Sequence, residues 1–375
     1  MPPAPPDDAP SRDAAPNRPA LRVDLSALGR NAEHLRARQA AELGAVVKAD
    51  AYGLGAEAVS GHLARACGVR SFFVAYAQEG RTIHAALARR GAAPDAIYVL
   101  NGYDPCDASL YEGTTLRPVL NDAAQAAAWS ERGGPCALGV DIGMNRLGLD
   151  PGEAAGLPGG TGLDPADVVL VVAHLSHTAQ PAHPANAQQV ARFETLVREA
   201  RDRLPRARFS LSASGGIALP AAPSEALVRP GIALYGGAPD GDPASALEPV
   251  ATLTAPVIQT RAVRAGETAG YDGRWRAARD SLLAVLAIGY ADGVPRSAFP
   301  AGRVVLNGAS CPVAGTVSMD LLIVDATEAG PVRTGDRAEL FGASLPIDAA
   351  AKAAGTIAYE LLTRVGGRVA RRYAA

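Results

Sequence analysis

One lysine of the sequence combines an apolar setting with a glycine-containing turn. Lys48 ends the apolar run Leu43–Lys48 and is followed by Tyr52, Gly53 and Gly55. A lysine that is half hidden from water has a lowered pKa, because burial disfavours the charged ammonium form. Its free amine can then attack an aldehyde carbon. Lys48 is therefore a candidate nucleophile toward a carbonyl compound.

Further polar residues lie in or just beyond other β-rich runs. They are two arginines, a histidine and a serine that precedes two glycines: Arg146, His174, Ser214 and Arg229. A serine followed by glycines is suited to a phosphate, because glycine allows the backbone N–H groups to approach an anion closely. The set thus combines one amine with several donors for an anion.

These residues recur at similar points of a repeating βα pattern. Eight β-rich runs alternate with segments whose apolar residues have helical spacing, and this alternation predicts a parallel sheet. Eight such units predict an α/β fold, a closed (β/α)8 TIM-type barrel over residues 20–248. The runs are Leu43–Lys48, Ser71–Tyr76, Ala96–Asn101, Leu116–Asn121, Ala137–Ile142, Val168–His174, Arg208–Ser212 and Leu227–Tyr235.

A barrel would bring these polar residues together. Barrel enzymes have their sites at the C-terminal ends of the strands, and a phosphate site after the last two strands recurs among them. Lys48 would then share one barrel mouth with the two arginines, the histidine and the serine. A cofactor with one aldehyde and one phosphate would fit this set, and pyridoxal 5′-phosphate (PLP) is such a cofactor.

The pattern changes near residue 249. Strand-like segments separated by Gly, Pro and Asp turns, with few helices, predict a mostly β C-terminal domain over residues 249–375. The strand candidate Ala20–Asp24 precedes the barrel and could pair with either domain. The first 19 residues are rich in Pro, Ala and Asp, which is typical of a disordered tail.

Composition narrows the class of partner. The 36 basic and 38 acidic side chains nearly cancel, which gives no electrostatic reason to expect nucleic acid or an anionic membrane. We find no apolar run of about 18 residues and no secretory signal, so we expect a cytoplasmic protein that acts on a small molecule. The four widely spaced cysteines predict neither a metal site nor a disulfide framework. They are Cys67, Cys106, Cys136 and Cys311.

Several segments, in order, resemble the signature motifs of the alanine racemases, a PLP-dependent family with a barrel and a β domain. Val46–Gly55 resembles the PLP-lysine signature, and Asp141–Gly148 resembles the DxGMxRLG motif. Four later blocks complete the series: Arg229–Gly236, Ile288–Gly293, Ser318–Asp320 and Tyr359–Glu360. The resemblance runs from about residue 20 to the C-terminus. It implies interconversion of L- and D-alanine, with D-alanine supplied for peptidoglycan.

The resemblance also implies two bases. Lys48 would form the Schiff base with PLP, and Tyr271 of the β domain would act in the active site of the partner subunit of a homodimer. Racemisation requires proton exchange on both faces of a planar carbanion. One base cannot easily reach both faces, so bases on opposite faces make chemical sense.

The other site residues take their expected roles from the same resemblance. His174 and Arg229 would form a network with Tyr271. Arg229 would donate to the PLP ring nitrogen and leave that nitrogen unprotonated, because arginine keeps its proton. The residues expected at the phosphate are Tyr52, Ser214, Gly231 and Ile232. Arg146 is expected at the phenolic oxygen of PLP, and those expected around the substrate are Arg146, Met319 and Tyr290.

A few positions depart from the family pattern. Gly139 stands where some members carry a carbamylated lysine, so another group or an anion would have to support Arg146. Ala213 replaces a usual asparagine. Ala179 replaces a common acidic residue, and Asp272 replaces a usual glycine. The last two leave open a racemase of serine or of broader specificity. A non-catalytic PLP carrier or regulator is a further alternative.

Overall fold

The computed structural model describes residues 18–156, 158–219, 225–242 and 244–375. The chain divides into two compact units. One unit is Asp24–Val250 with Tyr373–Ala375, and the other is residues 18–23 with Ala251–Arg372. The expected disordered tail lies outside the described residues, apart from residues 18 and 19.

The strands before residue 250 are short and, apart from β1, parallel. They are β1 (Ala20–Asp24), β2 (Glu42–Leu43), β3 (Ala45–Val46), β4 (Ser71–Val74), β5 (Ala96–Val99), β6 (Leu116–Leu120), β7 (Cys136–Gly139), β8 (Val168–Val172), β9 (Arg208–Ser210) and β10 (Leu227–Val228). Strands β3 to β9 pair in sequence order. All residues of β4, β5 and β7 are buried, as expected for parallel strands covered on both faces.

Strand β10 closes the barrel. It pairs in parallel with β2, which continues into β3 across Gly44, and the Gly44 N–H donates to the Val228 carbonyl at 2.9 Å. On its other side, the Arg229 N–H donates to the Ser212 carbonyl at 2.8 Å. Hydrogen bonds therefore run around the whole ring, and the predicted (β/α)8 barrel is confirmed.

Helices follow most barrel strands and pack their apolar residues on the barrel. In the first helix, Leu28, Ala32 and Leu35 are buried at helical spacing, and the Asp24 side chain caps its N-terminus by accepting from Ala27 N–H. The helices of this unit are α1 (Leu25–Ala37), α2 (Lys48–Tyr52, whose residues after Lys48 form a left-handed turn), α3 (Ala56–Ala66), α4 (Ala77–Arg89), α5 (Ala108–Tyr111), α6 (Ala123–Arg132), α7 (Pro151–Gly156), α8 (Pro158–Thr161), α9 (Pro184–Ala200) and α10 (Ser214–Ile217).

The second unit is built mainly of antiparallel strands. The remaining elements are β11 (Ala251–Val263), β12 (Thr268–Ala269), β13 (Trp275–Arg276), β14 (Ser281–Leu286), β15 (Arg303–Leu306), β16 (Ala309–Pro312), β17 (Leu322–Asp325), β18 (Arg337–Phe341), α11 (Ile347–Ala353), α12 (Ala358–Thr363) and β19 (Ala370–Ala374). An eight-stranded sheet has the order β16-β15-β18-β11-β1-β19, and in it β14 pairs with β11 and β17. β1 pairs antiparallel with β11, with Leu21 opposite Leu253. The predicted mostly β C-terminal domain is confirmed.

All eight predicted runs extend beyond the C-terminal ends of the strands observed, and the last run does so by the most. The run Leu227–Tyr235 is strand only to Val228, because Pro230 lacks an N–H and the chain then turns beneath Ser214. The run Leu43–Lys48 ends as strand at Val46. Within the described part of the chain, no helix is both long and apolar enough to cross a membrane.

Candidate active site

Lys48 lies between a paired strand end and a left-handed turn. Just before it, the Val47 N–H donates to the Phe73 carbonyl at 2.9 Å, which continues the β3–β4 pairing. The four residues after it have positive φ angles of 52°, 55°, 52° and 58°, from Ala49 to Tyr52. Such angles cost about 1–2 kcal/mol for each residue with a Cβ atom. This conformation persists only where surrounding contacts enforce it.

The environment of Lys48 lowers the pKa of its amine. Burial is the main cause, since it disfavours the ammonium form, and the positive charge of Arg146 is the second. The carboxylate of Glu79 acts in the opposite direction. Lys48 is half-buried, so its amine is both accessible and more easily deprotonated than an ordinary lysine amine.

Arg229 is a fully buried cation at the end of β10. Its Nη2 donates to the Ala173 carbonyl at 2.7 Å and to the Leu211 carbonyl at 3.3 Å, and its Nη1 donates to the Ser210 hydroxyl. Burial lowers the pKa of Arg229 to about 10, and the charge of Glu225 opposes this shift. Arg229 thus stays protonated at neutral pH and offers donors in a fixed direction.

His174 follows β8 and is surrounded by positive charge. Burial, followed by the positive charges of Arg229, Arg146 and Lys48, lowers the pKa of His174 to about 3. Its imidazole is therefore neutral at physiological pH. Because all three cations act on one ring, this barrel mouth combines one neutral imidazole with an excess of positive charge. Such a place suits an anionic ligand.

Ser214 opens α10 and faces the turn after β10. Its hydroxyl oxygen accepts from the Gly231 N–H at 3.0 Å and from the Ala233 N–H at 3.2 Å. Ile232, between those two residues, is buried. The ring of Tyr52 packs 4.9 Å from that of Tyr235, whose hydroxyl donates to the Val46 carbonyl. A serine, two tyrosines and a glycine turn therefore form one compact cradle at this mouth.

Arg146 is held in the loop after β7. The side chain of Asp141 accepts from the N–H groups of Gly143 and Met144 at 2.7 and 2.8 Å. The Leu149 N–H donates to the Gly139 carbonyl at 2.8 Å and closes the loop. The aspartate of the sequence motif thus has a local purpose: it folds the turn that presents Arg146, which is exposed.

The second unit brings together three other predicted site residues. The exposed fractions are 64% for Tyr271, 39% for Tyr290 and 54% for Met319. The Tyr290 N–H donates to the Ser318 carbonyl, and the next N–H donates to the Met319 carbonyl, both at 3.0 Å. The Tyr271 turn follows Gly270, whose Cβ position lies 3.3 Å from the Cα of Gly315, a few residues before Met319. The three side chains therefore belong to neighbouring loops.

Family models cover almost the whole described chain. The model of the alanine racemase N-terminal domain matches residues 23–239, and that of the alanine racemase C-terminal domain matches residues 250–373. The chain belongs to the alanine racemase family. The order of the two domains agrees with the resemblance inferred from the motifs.

Individual alanine racemases are similar over nearly the full length. The protein from Methylobacterium nodulans is 44% identical over 363 residues, which cover 94% of this chain and 95% of that protein. The structure of alanine racemase from Bartonella henselae with covalently bound pyridoxal phosphate is 34% identical, with a TM-score of 0.84 and coverage of 95% and 99%. The biosynthetic alanine racemase from Pseudomonas aeruginosa is also 34% identical, with a TM-score of 0.85 and coverage of 96% and 100%.

One departure from the alanine racemase pattern has a structural explanation. A Cβ atom built on Gly139, where some members carry a modified lysine, would lie closer than 3.0 Å to the Asn121 amide oxygen. The Asn121 amide donates to the carbonyls of Leu100 and Val119, at 3.0 and 2.8 Å. The Asn121 side chain thus occupies the space into which a side chain at position 139 would extend.

The sequence motifs of the alanine racemase family did not single out Arg368. Its guanidinium donates to both carboxylate oxygens of Asp292, at 2.9 and 3.0 Å, and to Asp320 at 2.8 Å. Asp292 is buried and Asp320 follows Met319, so Arg368 joins the Tyr290 turn to the Met319 loop. A lone arginine near a chain end carries no signal for such a contact.

Proposed function

We propose that this member of the alanine racemase family interconverts L- and D-alanine with bound PLP and two bases, Lys48 and Tyr271. The observation that supports this most is the half-buried Lys48 amine, with its lowered pKa, in the same barrel mouth as a cradle for an anion. Residues 20–248 would form the PLP-binding domain and residues 249–375 the β domain, except that β1 belongs with the β domain because it pairs with β11.

The residues of the barrel mouth fit PLP. Gly231 has no room for a Cβ atom beside the Tyr52 hydroxyl, and the Ser214 hydroxyl lies next to it, as a close-fitting phosphate cradle requires. Ser214, Tyr52, Gly231 and Ile232 would hold the phosphate. Lys48 would attach the aldehyde end. The relative from Bartonella henselae binds pyridoxal phosphate covalently.

Two arginines would orient the other polar atoms of the cofactor. Arg229 would donate to the ring nitrogen, because its buried guanidinium is held by three fixed acceptors. Arg146 would contact the phenolic oxygen and the carboxylate of the amino acid, together with the Met319 N–H. Tyr290 would line the substrate entrance. PLP, when bound, withdraws electrons and makes the α-proton of the amino acid more acidic.

The protons would be handled by the chain's own residues. The Nζ of Lys48 would accept or return the α-proton on one face, since its lowered pKa favours the free amine. The phenolic oxygen of Tyr271 would do the same on the other face. Tyr271 would work with the neutral His174 and with Arg229. The high exposure of Tyr271 supports a role toward a second copy of the chain, and hence a homodimer.

The test is direct. Purified protein with PLP and L-alanine should form D-alanine, measured by chiral chromatography, and Lys48→Ala should form none. A panel of L-amino acids decides the alternative of a serine or broad-specificity racemase, which the departures at Ala179 and Asp272 favour. No turnover of alanine beside turnover of another amino acid would contradict the proposal.

The alternative of a non-catalytic PLP carrier or regulator has its own test. Such a protein would show the absorbance of bound PLP but no exchange of the α-proton in deuterated water. We also propose that the protein works in the cytoplasm and supplies D-alanine for peptidoglycan. Its relatives include both an alanine racemase named biosynthetic, from Pseudomonas aeruginosa, and one named catabolic, from Agrobacterium fabrum. Loss of the gene product should then create a requirement for D-alanine, unless a second racemase is present.

A further inference from the structure

Glu79 makes a contact with the peptide group that follows Lys48. Its Oε1 accepts from the Ala49 N–H at 2.8 Å. Its Oε2 accepts from the N–H groups of Ala75 and Tyr76, at 2.7 and 3.2 Å, at the start of α4. One carboxylate thus joins the Lys48 turn to the N-terminus of the helix after β4.

The contact between Glu79 and Ala49 restrains the backbone of Lys48. The N–H of Ala49 belongs to the peptide bond that starts at Lys48, so fixing its direction fixes the ψ angle of Lys48. On the other side, the peptide group between Val47 and Lys48 is held because the Val47 carbonyl accepts from the Ala51 N–H at 2.9 Å. The backbone of Lys48 is therefore restrained on both sides, and the direction of its Cα–Cβ bond follows.

The left-handed turn makes such a restraint necessary. Ala49, Asp50 and Ala51 all have a Cβ atom and φ angles above 50°, a conformation that L-residues rarely adopt. Inside this turn the Gly53 N–H donates to the Ala49 carbonyl at 2.8 Å, and at its far end Asp50 accepts from the Ala56 N–H at 2.7 Å. Glu79 supplies the contact at the near end.

We propose that Glu79 is a positioning residue that directs the Lys48 side chain by holding the Ala49 N–H in the left-handed turn. Its effect on PLP binding rests on the proposed function, whereas its effect on the turn does not. A carboxylate is required, because its two oxygens only accept. A glutamine amide has one oxygen, so its NH2 group would face one of the backbone donors that Glu79 now satisfies.

The experiment combines Glu79→Gln with Ala49→Gly in the full-length protein. Glycine adopts positive φ without steric cost, so the turn should need Glu79 less in an Ala49→Gly background. Two quantities are measured: PLP affinity, from the visible absorbance of bound PLP, and amide hydrogen exchange across Lys48–Gly55. We expect Glu79→Gln to weaken PLP binding about tenfold and to speed exchange in that segment. In the Ala49→Gly background, Glu79→Gln should cause a clearly smaller loss of PLP affinity and a smaller rise in the exchange rate.

The control separates positioning from helix capping. Asp122 caps α6 by accepting from the Gln125 N–H at 2.8 Å. Asp122→Ala should therefore lower stability but leave PLP affinity and exchange across Lys48–Gly55 unchanged. Wild-type affinity and exchange in Glu79→Gln would overturn the proposal. The proposal would also be overturned if Glu79→Gln lost the same PLP affinity with Ala49 as with Gly at position 49, or if Asp122→Ala lost as much PLP affinity as Glu79→Gln.

A second measurement is needed if Glu79→Gln does not fold or if the wild-type protein does not bind PLP. If Glu79→Gln does not fold, Glu79→Asp keeps the charge but shortens the reach; it should show the same loss of PLP affinity, and wild-type affinity in it would overturn the proposal. If the wild-type protein does not bind PLP, the proposed function fails. Hydrogen exchange across Lys48–Gly55 then decides the role of Glu79 by itself.

Discussion

The Cβ position of Gly231 lies closer than 3.0 Å to the phenolic oxygen of Tyr52, a separation that real Cβ atoms essentially never show. Tyr52 cannot easily move away, because its ring packs on Tyr235 and its backbone ends the left-handed turn after Lys48. Gly231 therefore couples the turn after β10 to the turn after β3. The two turns carry the residues proposed for the phosphate and for the aldehyde of PLP.

Gly231→Ala should disturb both turns. The added methyl group must displace Tyr52, and overpacking of this kind lowers the free energy of unfolding by about 1–3 kcal/mol. PLP affinity should fall as well. Urea unfolding and absorbance titration with PLP measure the two effects. Gly367→Ala is the control, because nothing lies within 4 Å of the Gly367 Cβ position. Unchanged PLP affinity in Gly231→Ala would contradict the assignment of the cradle.

Mixing two inactive variants tests whether active sites are shared between subunits. Lys48→Ala and Tyr271→Phe should each abolish or strongly reduce racemisation as homodimers. A mixed dimer has one site with both mutations and one site with wild-type Lys48 and Tyr271. Activity should therefore reappear after subunit exchange, up to about half of the wild-type value per mixed dimer. No recovery despite exchange confirmed by mass spectrometry would argue against shared sites.

His174 should make the stability of the protein sensitive to acid. Its pKa of about 3 in the folded chain is far below the value of about 6.5 for an unperturbed histidine. Between these values the unfolded chain binds more protons, so the stabilisation is complete above about pH 6.5 and is lost as the pH falls toward 3. From pH 6.5 to 5 the loss due to this residue is about 2 kcal/mol.

The measurement is urea unfolding at several pH values, for the wild type and for His174→Gln at equal PLP loading. The difference in unfolding free energy between the two proteins should shrink as the pH falls from 6.5 to 5. A constant difference over this range would show that His174 is not held neutral in the folded protein.

Arg368 should support the substrate loops of the β unit. Arg368→Ala leaves the buried carboxylate of Asp292 without its cation and removes the side-chain link between the Tyr290 turn and the Met319 loop. We expect a several-fold rise in KM for alanine and a lower unfolding midpoint. Arg279→Ala is the matched control, because the Arg279–Glu328 pair is exposed and such pairs contribute little. Equal effects of the two substitutions would reject this role for Arg368.

Sequence patterns predicted the architecture because the architecture depends on periodicity. β-rich runs that alternate with segments of helical spacing indicate a parallel barrel. The strands of such a barrel are buried on both faces, as β4 and β5 are, so each appears in the sequence as a short apolar run. The motif around Asp141 is equally local, because the carboxylate and the N–H groups it accepts from are two and three residues apart.

Other features carried no sequence signal. Ala49, Asp50, Ala51 and Tyr52 have no shared preference for positive φ, so their left-handed turn was not predicted. Asn121 was seen only as the last residue of the run Leu116–Asn121. Its contact with the Gly139 position depends on the packing of β6 beside β7.

For Lys48 the division is clear. By itself, the sequence determined that a lysine ends an apolar run of a barrel, inside a signature segment of the alanine racemase family. The sequence also predicted that Arg146 shares its barrel mouth, and the charge of Arg146 does help to lower the pKa of Lys48. Only the tertiary structure showed the Glu79 carboxylate at the peptide group after Lys48. The physical reason is the separation along the sequence between the residues that interact. Periodicity acts over a few residues, whereas the contact between Ala49 and Glu79 spans 30 residues and forms only when neighbouring strands pair.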